Sequence, residues 1–126
     1  MSKKILVVND ETDINTTIRQ ILEDKGFKVD SYEDPRLALE NFKPQYYDLV
    51  LIDSKMPQMN GFAFYRGVKA LDKKVKTCFL TAAEAQSEHH SADTFSSPPP
   101  PNCFIRIPIE NERLLERIDE IMIEEK

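Results

Sequence analysis

Glycine is scarce: Gly26, Gly61 and Gly67 are the three in 126 residues, too few and too far apart for a Walker A loop or a G-x-G-x-x-G phosphate cradle. Long apolar runs are missing too, and none approaches the roughly 20 residues of a membrane span. The opening MSKKILVV turns polar at Asn9 and Asp10, too early for a signal peptide. A cytoplasmic chain with no membrane contact is expected. Cysteine is limited to Cys78 and Cys103, with no C-x-x-C, and each sits in an apolar run. That pattern is read as two buried free thiols in a reducing compartment, not as a disulfide framework. Zinc is excluded as well, since it needs several Cys or His ligands at local spacing. His89 and His90 are adjacent and on a helix would diverge by about 100°, so they are read as solvated surface. A net charge of -5 argues against nucleic acid or an anionic membrane as partner.

The composition that remains, 40% hydrophobic and 31% charged, is that of one ordinary globular domain spanning residues 1–126. Apolar runs of strand length alternate with segments of helical period. KILVV (4–8), FKVDSY (27–32), DLVLID (48–53), VKTCFLT (75–81) and CFIRI (103–107) read as strands. Between them lie a stripe of Ile14, Ile18, Ile21 and Leu22 closed by Gly26, and a short helix with Pro35 in its first turn. A third helix follows Gly61, with Phe62, Tyr65, Val68 and Leu71 on its apolar face; Gly67 weakens it by about 1 kcal/mol relative to alanine. The closing helix carries Leu114, Leu115, Ile118, Ile121 and Met122. A short fourth helix is expected after Thr81, and then SSPPPP (96–101) as an extended connector. Strict β/α alternation predicts a parallel sheet wrapped by helices.

In such a sheet the strands' carboxyl ends share one edge, where ligands bind. Asn9 and Asp10, Asp53, Thr81, and Ile107–Pro108 all fall there. Two carboxylates, Asp10 and Asp53, suit a magnesium ion, which takes one or two carboxylates plus water and phosphate. Taken singly, Asn9, Asp10 and Thr81 read as helix caps and Phe104 as core; their convergence on one edge favours a site.

ILVVNDE, DLVLIDSKMPQMNG, FLTA and FIRIP, in this order and spacing, resemble the receiver domain of two-component response regulators. The resemblance covers essentially the whole chain. It implies a flavodoxin-like sheet of five strands in the order 2-1-3-4-5, and phosphorelay signalling. It makes Asp53 the phosphoacceptor, supplied by a sensor histidine kinase or phosphotransfer protein. Asp10, Asp53 and the backbone carbonyl of Lys55 would hold Mg2+, with Asn9 acting through a water. Thr81 and Phe104 would be the switch residues, and the Ile107–Pro108 peptide would be cis. With no further domain after the last helix, output is expected through a protein partner on the face of the fourth helix, fifth strand and closing helix. A monomer or weak homodimer is expected.

Two positions depart from the family pattern. Asn9 replaces one carboxylate of the acidic pair, which implies weaker magnesium binding. Ile107 replaces the lysine that meets the phosphoryl group. A hydrogen bond to a charged group contributes about 1.5–3 kcal/mol, so its loss implies tenfold or more weaker coupling. Arg106 should face away by strand alternation, which leaves Lys55 as the substitute cation. The alternative is a pseudo-receiver that binds protein without phosphorylation. A phosphohydrolase with an aspartate nucleophile would need a second acid two residues on, where Lys55 stands.

Overall fold

The computed structural model describes residues 3–54, 56, 59–82, 103–107 and 109–123. The elements are β1 (Lys4–Val8), α1 (Thr12–Asp24), β2 (Lys28–Tyr32), α2 (Pro35–Glu40), β3 (Leu49–Asp53), α3 (Gly61–Leu71), β4 (Lys76–Ala82), β5 (Phe104–Ile107) and α4 (Asn111–Ile123). All strand pairs are parallel, in the order β2-β1-β3-β4-β5. The expected fourth helix and the proline-rich connector lie outside the described residues, as do Lys55 and Pro108.

The central strands β1 and β3 are covered on both faces, which is why they read as unbroken apolar runs. Alternate side chains feed two cores. Ile5, Val7, Leu49, Leu51, Leu80 and Ile105 pack with Ile18 and Leu22 of α1 and Leu114 and Ile118 of α4. Leu6, Val8, Val50, Ile52 and Phe79 pack on the other side with Ala38 of α2 and Phe64 and Val68 of α3.

Local signals set the helix ends. Asp34 caps α2 by accepting from the Arg36 N–H, with Pro35 in the first turn. Asn60 caps α3 by accepting from the Ala63 N–H at 2.9 Å. Gly26, at φ 97°, ends α1. The Gly26 N–H donates to the Glu23 carbonyl and the Phe27 N–H to the Leu22 carbonyl, a Schellman closure.

Two expectations are corrected. The face of α3 is turned: Gly61, Phe64 and Val68 are its buried residues, while Leu71 is exposed and Phe62 and Tyr65 only half-buried. Apolar and aromatic side chains surround this helix, so periodicity alone fits more than one stripe. The cysteines are not free thiols either: Cys78 and Cys103 form a disulfide, with Cα atoms 4.7 Å apart. The β4–β5 register, Phe79 opposite Phe104, places the preceding residues side by side, a pairing that exists only once the strands are neighbours.

Tyr47 locks the segment before β3. It is buried, and its hydroxyl donates to Asp30 Oδ2 at 2.7 Å. Burial, and then the Asp30 carboxylate, push its pKa well above the usual 10.0. The unfolded chain therefore releases this proton near pH 10, while the folded chain keeps it. Stability should fall as pH rises above that point, by about 1.4 kcal/mol per pH unit from this group. Tyr47→Phe is expected to cost about 1.5–3 kcal/mol at pH 7, the scale of a hydrogen bond to a charged group. The gap to wild type should narrow between pH 9 and pH 11. Urea unfolding at the three pH values checks this; a gap that stays constant would place the effect elsewhere.

Candidate functional site

β1, β3 and β4 are neighbours at the centre of the sheet, and each has a polar residue at or next to its carboxyl end. Val8 pairs with Ile52, so one further step sets Asn9 beside Asp53. Asp53 pairs with Leu80, one residue before Thr81, and Thr81 pairs with Arg106. The parallel topology thus brings Asn9, Asp10, Asp53 and Thr81 to one edge, as expected. Asp10, Asp53 and Thr81 are partly accessible, whereas Asn9 is buried.

The loop after β1 is held from within. Asn9 Oδ1 accepts from the Glu11 N–H at 2.8 Å, and the Asn9 N–H donates to the Tyr32 carbonyl at 3.1 Å. Asn15, buried in α1, donates its Nδ2 to the carbonyls of both Asn9 and Tyr32, each at 2.9 Å. Its Oδ1 is buried with no hydrogen-bond partner among the described residues. Glu11 is the N-cap of α1 but makes no side-chain cap bond. Asn9 is therefore a backbone clamp, and the amide oxygen that accepts from Glu11 has one lone-pair direction left. Sequence reading missed Asn15. The available signal was its spacing of three residues before Ile18 and seven before Leu22, on the buried stripe of α1.

The loop after β3 is held equally closely. The Ser54 N–H donates to the Leu80 carbonyl at 3.0 Å, and the Gly61 N–H to the Ser54 carbonyl at 3.4 Å. Met56 is buried in the α3-side core, which explains an apolar residue in an otherwise polar loop. A Cβ on Gly61 would lie 2.5 Å from the Asp53 carbonyl oxygen and 2.9 Å from Ser54 Cα. Gly61 is thus a second residue whose role the sequence did not disclose.

On β5 the alternation holds. Ile107 is half-buried against the core shared with α1 and α4. Arg106 and Phe104 occupy the other face and are exposed. Phe104, 47% exposed, stacks on Phe79 with ring centroids 5.6 Å apart; it is a surface aromatic resting on the core. A cleft bordered by Lys3, Tyr46, Lys73, Lys74 and Lys76 lies at the opposite edge of the sheet, where β1 and β4 begin, away from these carboxylates.

The donor chemistry fits a magnesium ion. Asp10 and Asp53 offer hard carboxylate oxygens at neighbouring strand ends, and magnesium takes one or two such carboxylates with water completing its shell. Among the described residues no group of three or more His, Cys, Asp or Glu could hold a metal.

The response regulator receiver domain family matches residues 5–97. The chain belongs to that family. This receiver is 29% identical over 123 residues to the chemotaxis protein CheY of Bacillus subtilis, covering 97% of the chain and 99% of that protein. It is 32% identical over 116 residues to the transcriptional regulatory protein DltR of Streptococcus agalactiae, covering 91% of the chain and 50% of that protein. It spans about half the length of the transcriptional regulators DltR and RprY. Among solved structures it resembles the response regulator TrrA of Thermotoga maritima in complex with Mg(2+)-BeF, at 26% identity and a TM-score of 0.76, covering 94% of this chain and 98% of that one. The receiver is a module of phosphorelay signalling by two-component response regulators, and its fold is the flavodoxin-like one. No helix of the described residues is long and apolar enough to cross a membrane.

Proposed function

We infer that the receiver accepts a phosphoryl group on Asp53. A sensor histidine kinase or a phosphotransfer protein is the donor, as the family resemblance implies. A carboxylate oxygen of Asp53 attacks phosphorus; the phosphorus–nitrogen bond of the phosphohistidine breaks, an acyl phosphate forms, and the departing imidazole takes up a proton. The observation that carries this reading is the position of Asp53 at the end of β3, between the Asn9–Asp10 turn and Thr81.

Asp10, Asp53 and the backbone carbonyl of Lys55 would hold Mg2+, with Asn9 contributing through a water. The ion's chemistry is to neutralise charge on the phosphoryl oxygens. An amide at position 9 carries less charge than a carboxylate, so magnesium binds more weakly than at a site with the full acidic pair. Thr81 donates its hydroxyl to the phosphoryl group, and Phe104 responds to that movement. Ile107 offers that group no cation, which weakens the coupling of phosphorylation to shape, and Lys55 is the substitute. A protein partner in the cytoplasm reads the face of the fourth helix, β5 and α4, and Phe104 and Arg106 stand exposed on β5. The domain acts as a monomer or weak homodimer.

Intact mass after incubation with magnesium and acetyl phosphate tests the acceptor. The expected result is one acid-labile phosphoryl group, absent in Asp53→Asn. No gain under conditions that modify an ordinary receiver would overturn the reading and leave a pseudo-receiver, a phosphorylation-independent binding module.

A further inference from the structure

The disulfide joins two strands that are already neighbours. Cys78 lies within β4 and is fully buried, while Cys103 immediately precedes β5 and is half-exposed. The backbone holds the same place, since the Phe79 N–H donates to the Cys103 carbonyl at 3.0 Å. β5 is the edge strand and pairs only with β4 among the described strands. Thr81 and the whole stretch between β4 and β5 lie inside the ring that the bond closes, with a sequence separation of 25. Arg117 of α4 reaches this second cysteine: one guanidinium nitrogen is 3.9 Å from Cys103 Sγ and 3.3 Å from the Phe104 carbonyl oxygen.

These positions give the two sulfurs different chemistry. A thiolate, not a thiol, is the attacking species, and a neighbouring guanidinium favours it. Cys103 has that neighbour and partial access to solvent, whereas Cys78 has no access. In a reducing compartment a disulfide is seldom structural and more often transient or redox-sensing.

We propose that Cys78 and Cys103 form a reversible redox site that brakes the edge strand β5 against β4, with small-molecule disulfides as its oxidant and small thiols as its reductant. The Cys103 thiolate attacks one sulfur of a disulfide such as oxidised glutathione. One glutathione leaves as a thiol after taking up a proton, and the other remains on Cys103 as a mixed disulfide. The Cys78 thiol gives up its proton and attacks Cys103 Sγ, expelling the second glutathione. Two protein thiols lose two electrons and two protons, and one glutathione disulfide becomes two thiols. Arg117 is a positioning residue that holds Cys103 as the thiolate. The bearing on signalling rests on the acceptor reading above, because β4 and β5 carry Thr81 and Phe104; the redox chemistry does not.

The test equilibrates the whole chain across glutathione buffers, then traps thiols with a maleimide and reads intact mass. No trapped thiol at the oxidised end and two at the reduced end, reached from both directions, is the expected result. A count that stays constant across the series overturns the proposal. Cys78→Ser should accumulate one glutathione adduct on Cys103, and Cys103→Ser should take none; the reverse pattern overturns the assignment of roles. Arg117→Ala should slow oxidation about threefold for each tenfold fall in thiolate, since a more basic thiolate is also the better nucleophile. Arg117→Lys should restore the rate, and an unchanged rate in Arg117→Ala removes the positioning role. Hydrogen exchange of the Phe79 amide needs no variant: it should be at least about tenfold slower in the oxidised protein if the bond brakes local opening of the strand pair, and equal exchange overturns the brake. Acetyl phosphate labelling at both poises separates the two readings, because its failure removes the acceptor and leaves the thiol result standing.

Discussion

Phe79→Ala is expected to lower the unfolding free energy by about 3–5 kcal/mol, the range for truncating a buried phenylalanine. The ring is fully buried in β4. It lies 4.5 Å from Phe62 and 5.8 Å from Tyr65 of α3, and 5.6 Å from Phe104 of β5, measured between centroids. Truncation therefore removes one ring from three aromatic contacts and leaves a cavity between sheet and helix. A domain of this size has roughly 5–15 kcal/mol of stability in all, so the variant should be visibly marginal. Phe79→Leu keeps most of the volume and should cost much less. Urea unfolding followed by circular dichroism measures both. A loss below about 1 kcal/mol for the alanine variant would mean that α3 collapses onto the gap, since collapse is what sets the spread in such costs. The effect should also reach Phe104, whose only aromatic support among the described residues is this ring.

Gly61→Ala is expected to damage both stability and the candidate site. Its Cβ would meet the Asp53 carbonyl oxygen at 2.5 Å and Ser54 Cα at 2.9 Å, and both are backbone atoms that cannot turn aside. Either α3 moves away or the end of β3 shifts. Overpacking of this kind costs about 1–3 kcal/mol. A displacement near 1 Å at a reacting group can cost about a hundredfold in rate, so on the proposed acceptor role phosphoryl labelling at Asp53 should slow by tenfold or more. Gly67→Ala is the matched control. The nearest atoms to its Cβ would be the Leu39 methyls, at 3.1 Å, and these belong to a flexible, half-buried side chain. The gain in helix propensity, about 1 kcal/mol, should offset that contact. Labelling rate and urea midpoint, measured on both variants, decide the matter. If Gly61→Ala labels like wild type, the loop absorbs the methyl and the close approach is not what positions Asp53.

The sheet was legible because parallel strands covered on both faces must be apolar throughout, and KILVV and LVLID admit no other easy reading. Its edge was legible for a topological reason. Once every strand points the same way, Asp10, Asp53 and Thr81 share an end whatever their side chains do. What stayed hidden depends on contacts between elements. The rotation of α3 is set by the Asn60 cap and by Gly61 against β3, neither of which appears in a periodicity of apolar residues. The Cys78–Cys103 bond depends on the β4–β5 register. Asn15 was hidden because a single polar residue on an apolar stripe counts against the stripe, although here it is what fastens α1 to two strands. Phe104, equally at home in a core by composition, lies half outside because β5 is an edge.

The Asn15 clamp also makes the β1–α1 turn depend on the identity of a single atom. One NH2 group faces two carbonyl oxygens, and the partner oxygen of the same amide is buried with no hydrogen-bond partner among the described residues. An aspartate at position 15 would match the asparagine in size and shape. It would replace the donor by an oxygen, turning two attractions into two repulsions inside a buried space, where an uncompensated polar group is most costly. The β1–α1 turn would then be released from beneath, through a residue set apart from Asp10 and Asp53.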